Sequence, residues 1–182
     1  MEYIDISKKM IIQVGFNKCG TTFIENFLNE IETIVMIQGA YYNEMNNIID
    51  YICFEEDVTY DSIYAKNSFY RVIKSILDTR DKKQYELIYF QHESLTFRYS
   101  KHFSRSQMSR RLKEIAPETL IVCGKRNNNK WLKSHYNQYI RNGGRLGRKE
   151  FNEVRKLRKY DDIYMSDFNL LEKILKANFV DK

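Results

Sequence analysis

Residues 10–28 constrain the fold more than any other stretch: Met-Ile-Ile-Gln-Val-Gly-Phe-Asn-Lys-Cys-Gly-Thr-Thr-Phe-Ile-Glu-Asn-Phe-Leu. Met10 to Val14 is a short run, apolar except for Gln13, of the kind that forms a buried strand. A loop bounded by Gly15 and Gly20 follows, and a helix signal begins at Thr21 and Thr22. Thr22 and Glu25 have the spacing of a capping box. Phe23, Ile24, Phe27, Leu28 and Ile31 recur at helical spacing and predict one apolar face. A strand, a glycine loop and a helix N-terminus together make a phosphate receptor, because free backbone N–H groups and the positive end of the helix dipole converge on the loop. Lys18 adds a full charge there, and Thr21 and Thr22 add hydroxyls.

The spacing distinguishes between kinds of phosphate loop. Gly15 and Gly20 match the two glycines of the nucleoside-triphosphate pattern G-x-x-x-x-G-K-[ST], but Thr21 stands where its lysine belongs. The order here is G-x-x-K-x-G-T-T, with Lys18 inside the loop. The bland alternative is a tight strand-to-helix turn with a solvated lysine, and the paired threonines between strand and helix weigh against it. The pattern resembles the 5′-phosphosulfate loop of the sulfotransferases that use 3′-phosphoadenosine 5′-phosphosulfate.

A second constellation lies a hundred residues on. Thr119 to Gly124 is an apolar strand, and the stretch Arg126 to Tyr136 reads Arg-Asn-Asn-Asn-Lys-Trp-Leu-Lys-Ser-His-Tyr. A guanidinium just past a strand, eight residues before a hydroxyl on the next helix, suits a second phosphate. Arg126, Ser134 and Tyr136 are similar in placement to the 3′-phosphate motif of the same family, with Asn128 where the family usually has proline. Between the two motifs, the strand Glu86 to Gln91 ends in His92-Glu93-Ser94. Ligands of parallel α/β sheets lie beyond the carboxyl ends of strands. There a His-Glu pair can serve as general base, or can simply cap the strand-end turn before Leu95. His92 to Leu95 resembles the short Ser-x-Glu-type segment of bacterial, carbohydrate-type sulfotransferases, and Trp131 to Gly144 resembles their helix and glycine pair.

The remaining chain fits one α/β domain over residues 1–182, long enough for a real core. A strand is expected over 33–38, and helices over 43–53, 62–77, 104–116, 130–142, 148–158 and 167–177. Ser104 or Ser106 starts the helix over 104–116, which stops before Pro117 and whose face Arg105, Ser109, Arg110 and Lys113 reads as wet. Gly143-Gly144 stops the helix after Trp131. The tyrosines from Tyr41 to Tyr70 read as packing in preference to a substrate surface.

Composition narrows the function classes. Hydrophobic residues make up 43% and charged residues 30%, as in globular domains. No apolar run is long enough to span a membrane, and Met1 to Lys9 lacks the apolar core of a signal peptide, so the expected location is cytoplasmic. Cys19, Cys53 and Cys123 form neither a disulfide frame nor a zinc pattern. Cys19 reads as a small loop filler, the alternative being a thiol whose pKa is lowered by Lys18 and the helix end. The net charge of +6 favours an anionic ligand. The basic run Arg141 to Arg158 is interrupted by Glu150 and Glu153, reads as a solvated helical face, and accompanies no nucleic-acid motif.

The resemblance implies a three-layer fold built like a P-loop nucleotide kinase, with a mainly parallel sheet flanked by helices. It implies transfer of a sulfuryl group from 3′-phosphoadenosine 5′-phosphosulfate (PAPS) to a hydroxyl or amine of an acceptor, a saccharide being the best fit, with no metal. Asn17, Lys18, Cys19, Gly20, Thr21 and Thr22 would hold the 5′ end of the nucleotide and Arg126 and Ser134 its 3′-phosphate. Lys18, with Glu93 or His92, would carry the chemistry. The rivals are an ATP-dependent P-loop kinase and a non-catalytic, nucleotide-binding remnant of the fold. Family chains usually continue past the position of Lys182, so a shortened member, a fragment and a degenerate copy all fit.

Overall fold

The structure, a computed structural model, describes residues 6, 8–15, 19–79, 85–92, 95, 104–157 and 168–179. Four strands form its sheet: β1 (Met10–Gly15), β2 (Ile34–Gln38), β3 (Leu87–Gln91) and β4 (Leu120–Gly124). Among the described residues there are seven α-helices: α1 (Thr21–Asn29), α2 (Asn43–Phe54), α3 (Ser62–Asp78), α4 (Arg105–Ile115), α5 (Asn128–Arg141), α6 (Arg148–Leu157) and α7 (Phe168–Phe179). A single 3₁₀ turn, Gly39–Tyr41, follows β2. The α/β class expected from the sequence is the one observed.

Strand order is β2-β3-β1-β4, and every neighbouring pair is parallel. The chain therefore leaves β1 toward β2 on one side, whereas β2 leads to β3, and β3 to β4, in the opposite direction. Because crossovers between parallel strands are right-handed, this reversal sends α1 to one face of the sheet and the connections carrying α2, α3 and α4 to the other.

The two faces differ in chemistry. Met10, Ile12, Val14, Val35, Ile37, Ile88 and Phe90 all belong to the buried core. They share one face, because Met10 pairs with Ile88, Ile12 with Phe90 and Ile37 with Phe90, and side chains alternate along a strand. Met45, Ile49 and Ile52 of α2, Phe69 and Ile73 of α3, and Met108 and Leu112 of α4 complete that core. The opposite face carries Ile11, Tyr89 and Met36 in one row and Gln13, Gln91 and Gln38 in the next.

Local signals explain several helix ends. Asp61 caps α3, its Oδ1 accepting from the N–H groups of Ile63 (2.8 Å) and Tyr64 (3.0 Å). Ser104, not Ser106, caps α4 by accepting from Gln107 N–H. Helix α5 ends in a Schellman motif: Gly144 N–H donates to the Tyr139 carbonyl and Gly143 N–H to that of Ile140, with Gly143 at φ +87°. Glu150 accepts from Gly147 N–H at the start of α6, the return half of a capping box.

Three expectations need correction. The capping box at Thr22 and Glu25 does not form: helix α1 starts at Thr21, its N-cap is Gly20, and no side chain caps it. The apolar face of α1 is also narrower than its periodicity suggests. No residue of this helix is fully buried, and Phe23 and Phe27 are 77% and 57% exposed. A nine-residue helix laid on β2 covers little more than its Ile24 and Leu28 ridge, since i and i+4 are the pair that share a line. Finally, α4 is not wet at Ser109. That residue is fully buried, and its hydroxyl accepts from Asn178 Nδ2 of α7 (3.0 Å). Its neighbour Arg111 is buried too: its guanidinium donates to the Ile52 and Glu55 carbonyls (3.0 and 2.7 Å), closing the end of α2.

Candidate functional site

Strands β1 and β3 are neighbours whose onward connections depart in opposite directions, and such a switch point opens a crevice beyond the strands' carboxyl ends. A cavity of about 220 Å³ lies there. Gln13 and Gly15 of β1, Gln38 of β2 and Gln91 of β3 reach it from the sheet. Thr21, Thr22 and Glu25 reach it from α1, Ala40 and Tyr41 from the turn after β2, and His92 from the end of β3.

The N-terminus of α1 is open chemistry. Among the described residues its first turn has no acidic residue and no side-chain cap, and Thr21 and Thr22 at its start line the cavity. Gly20 precedes it at φ +89°. Of the loop residues singled out in sequence, Cys19, Gly20, Thr21 and Thr22 are described; Asn17 and Lys18 lie outside the described residues. Cys19 behaves as a filler. Burial pushes its thiol up to about 11, outweighing the nearby Arg126 charge, which favours the filler reading.

His92 is held from two sides. The residue is only 4% exposed, and Nε2 lies 2.8 Å from Asn46 Oδ1. Asn46 in turn donates from Nδ2 to the Ala40 carbonyl at 3.1 Å. That second bond fixes which end of the amide faces the histidine, so Nε2 is the donor of the pair, and in the neutral ring the lone pair is on Nδ1. Gly39 closes the other side: a Cβ there would meet His92 Cδ2 at 2.8 Å and the Phe90 ring at 2.8 Å, so only glycine lets the turn approach. Glu93 lies outside the described residues. Of the other histidines, His135 lies tilted against buried Trp131 at 4.1 Å between ring centroids and does not line the cavity, and His102 lies outside the described residues.

The second motif is placed separately. Arg126 is exposed in the connection from β4 to α5, and Ser134 is half-buried on α5; neither lines the cavity. Asn127 caps α5 by accepting from the N–H groups of Asn129 and Lys130 (3.1 and 3.3 Å). Asn128 is thereby the first helical residue, the position at which proline is best tolerated, so the helix starts where a proline would have started it. Lys125 pairs with Glu172 of α7, and Glu172 is held at about 2 by its hydrogen bonds and charge contacts with Lys125 and Lys176.

The architecture has a solved counterpart. It is similar to the crystal structure of a sulfotransferase from Alicyclobacillus acidocaldarius, with a TM-score of 0.61 and 16% identity over 93% of this chain and 68% of that one. The fold is sulfotransferase-like. At this identity the likeness concerns the fold and leaves chemistry to the site itself. No protein-family model matches the chain, and no curated protein matches it in sequence. No helix among the described residues is long and apolar enough to cross a membrane, and no group of three or more His, Cys, Asp or Glu among them is placed to hold a metal ion.

Sequence reasoning missed two features of the cavity. Asn46 sits on the polar side of an amphipathic helix, 46 residues from the histidine it orients, and nothing local marks it. The three glutamines did carry a signal: each of the first three apolar strands holds a Gln at or near its carboxyl end, and register aligns them across the sheet.

Proposed function

We propose that this chain is a sulfotransferase that moves a sulfuryl group from PAPS to a hydroxyl, or an amine, of an acceptor. The observation that carries this reading is one cavity, in a sulfotransferase-like fold, onto which both the open N-terminus of α1 and the clamped His92 face. The displaced Lys18 supports it over an ATP-dependent kinase.

In this reading the backbone N–H groups at Gly20 to Thr22 and the two threonine hydroxyls bind the 5′-phosphate, and Asn17 and Cys19 line the same loop. Arg126 and Ser134 bind the 3′-phosphate. The acceptor oxygen attacks sulfur, the bond from sulfur to the bridging 5′-phosphate oxygen breaks, and its electron pair stays on that oxygen. By analogy with phosphoryl transfer, the transition state is loose and negative charge grows on the leaving oxygen. Lys18 stabilises that charge. The acceptor's proton passes to His92 or to Glu93; the position of His92 on the cavity, with Nδ1 carrying its lone pair, supports His92. The whole chain acts as a single domain, and no step calls for a metal.

The test is transfer itself. Protein incubated with sulfur-labelled PAPS and a panel of sugars, amino sugars and small phenols should release one 3′-phosphoadenosine 5′-phosphate (PAP) per sulfate ester formed. Binding of PAP with no labelled product from any acceptor would leave a nucleotide-binding module.

A further expectation concerns the 3′-phosphate. Arg126→Ala and Ser134→Ala should weaken PAP far more than AMP, the arginine more, since charge-assisted bidentate contacts are roughly twice as strong as neutral ones. Calorimetry that finds equal losses for both nucleotides would remove these residues from phosphate recognition.

A further inference from the structure

The charge of this chain is concentrated in one stretch. Residues 125–150 hold eight lysines and arginines against one acid, Glu150, a charge of +7 in a chain whose net charge is +6. The rest of the chain therefore sums to −1. Six of the eight, Lys130, Lys133, Arg141, Arg145, Arg148 and Lys149, are exposed and form no ion pair among the described residues. Other cations find carboxylates: Lys74 pairs with Asp78, Arg110 and Arg111 with Asp57, and Lys125 and Lys176 with Glu172.

The six belong to one packed unit. On α5, Lys130, Lys133 and Arg141 fall within an arc of about 80° at 100° per residue, with Asn137 between them. The buried Trp131 and His135 lie on the opposite side of the helix. The turn after α5 is fixed to it, because the Tyr139 hydroxyl accepts from the N–H groups of Arg145 and Leu146 (3.0 and 3.1 Å). Phe151 of α6 packs on the rings of Tyr136 and Tyr139, at 5.3 and 4.9 Å between centroids. The one acid is used inside the unit, where Glu150 accepts from Gly147 N–H. Lys130 stands in the first turn of α5, and Arg148 and Lys149 open α6, positions at which the helix dipole disfavours a cation. Like charges gathered in this way repel one another, and an anionic partner relieves the repulsion.

We propose that this unit binds the phosphate backbone of a nucleic-acid duplex without reading its sequence. Amides accompany the cations, with Asn129, Asn137 and Gln138 exposed on α5. Lysine, arginine, asparagine and glutamine are the side chains that contact phosphate and sugar. From Lys130 to Arg141 the stripe runs about 17 Å along the helix axis, roughly the rise of five base pairs. A membrane-surface helix needs a broad apolar face to insert, and among the described residues of α5 only Ile140 is a large hydrophobic side chain that is exposed. A single strand is gripped by bases stacking on open aromatic rings, whereas Tyr136 and Tyr139 are turned onto Phe151. The core of a protein–protein interface is depleted of charge, and this face is made of it. The inference stands apart from sulfuryl transfer, since none of the six residues lines the cavity.

The test is fluorescence anisotropy of the full chain with DNA and RNA duplexes of about 20 base pairs and with a single strand of the same length, over about 50–200 mM salt. Sedimentation with phosphatidylserine–phosphatidylcholine vesicles runs beside it. Both duplexes should bind with Kd of about 10⁻⁴–10⁻⁶ M near physiological salt, and log K for DNA should fall with log salt by about 0.9 for each phosphate neutralised. The triple change Lys130→Gln, Lys133→Gln and Arg141→Gln should weaken binding and flatten that slope by about 3. It should leave the melting temperature near that of wild type, because all three side chains are exposed. A control with the same net charge, Lys8→Gln, Arg71→Gln and Lys173→Gln at exposed positions on other elements, should keep the wild-type slope. No binding to either duplex, or equal losses in the two triple variants, overturns the proposal. Tighter binding to the single strand than to the duplexes overturns it too, as does capture by the vesicles with no duplex binding.

Discussion

His92→Ala should lower sulfuryl transfer by about 10²–10⁴-fold while leaving PAP affinity near that of wild type. The histidine is ordered by groups that are not on the cavity lining: Asn46 holds Nε2, and Gly39 admits the ring. Glu93→Gln keeps the shape of the neighbouring carboxylate and removes its basicity, so its effect separates the two candidates. A large loss in His92→Ala with near-normal Glu93→Gln assigns the proton to the imidazole; the reverse assigns it to the carboxylate. Asn46→Leu adds a readout that simple packing would not move. It frees the ring to take either tautomer, so the pH–rate profile should change along with kcat, whereas a purely structural Asn46 would alter the melting temperature alone. Full activity in both His92→Ala and Glu93→Gln would mean that the base lies elsewhere.

Lys18→Ala should cost about 10²–10³ in kcat and much less in affinity for PAP. The reason is differential binding: a cation aimed at the bridging oxygen gains most when the bond to sulfur is breaking, and an interaction stronger in the transition state than in the ground state appears in kcat. The product nucleotide and the donor differ in the sulfuryl group, so a lysine that merely holds phosphate would weaken both equally. A rise in KM at constant kcat would make Lys18 a ground-state binding residue. Lys18→Arg separates charge from geometry, since the guanidinium keeps the charge but presents a planar fork to a site built for a point charge.

How much of this was legible beforehand differs by element. The strands were, because Met-Ile-Ile, Ile-Val-Met-Ile and Leu-Ile-Tyr-Phe are short apolar runs bounded by polar or glycine residues, and such runs in an α/β alternation end in a parallel sheet. The stop after α5 was legible because the left-handed residue of a Schellman motif is nearly always glycine, and Gly143 occupies it. Helix α1 was misread in detail. Phe23 and Phe27 have the right period, but periodicity says which residues share a face and not how much of that face a partner covers. Ser109 was misread for the opposite reason: a polar side chain is buried when a long-range partner satisfies it, here Asn178 of α7, and the buried Arg111 beside it follows the same rule through the carbonyls that end α2. The candidate site divides in the same way. The proposed phosphate loop is read from a local pattern of six adjacent positions, whereas the His92–Asn46 pair and the glutamine row exist only once register and helix packing bring distant residues together. Tyr41 belongs with these, an aromatic read as packing that stands exposed at the cavity rim.

The central claim is that the chain recognises a nucleotide by two phosphate receptors, one at the start of α1 and one at Arg126 and Ser134. The most direct measurement is a thermal-shift series with PAP, AMP and ATP with magnesium at equal concentrations. A ligand that binds only the folded state stabilises it by about 2.7 kcal/mol at a hundredfold excess over Kd, so affinity reads out as melting temperature. PAP should raise the melting temperature well above the AMP value, and the excess should vanish in Arg126→Ala. Equal shifts with PAP and AMP, or a larger shift with ATP and magnesium than with PAP, would contradict the account.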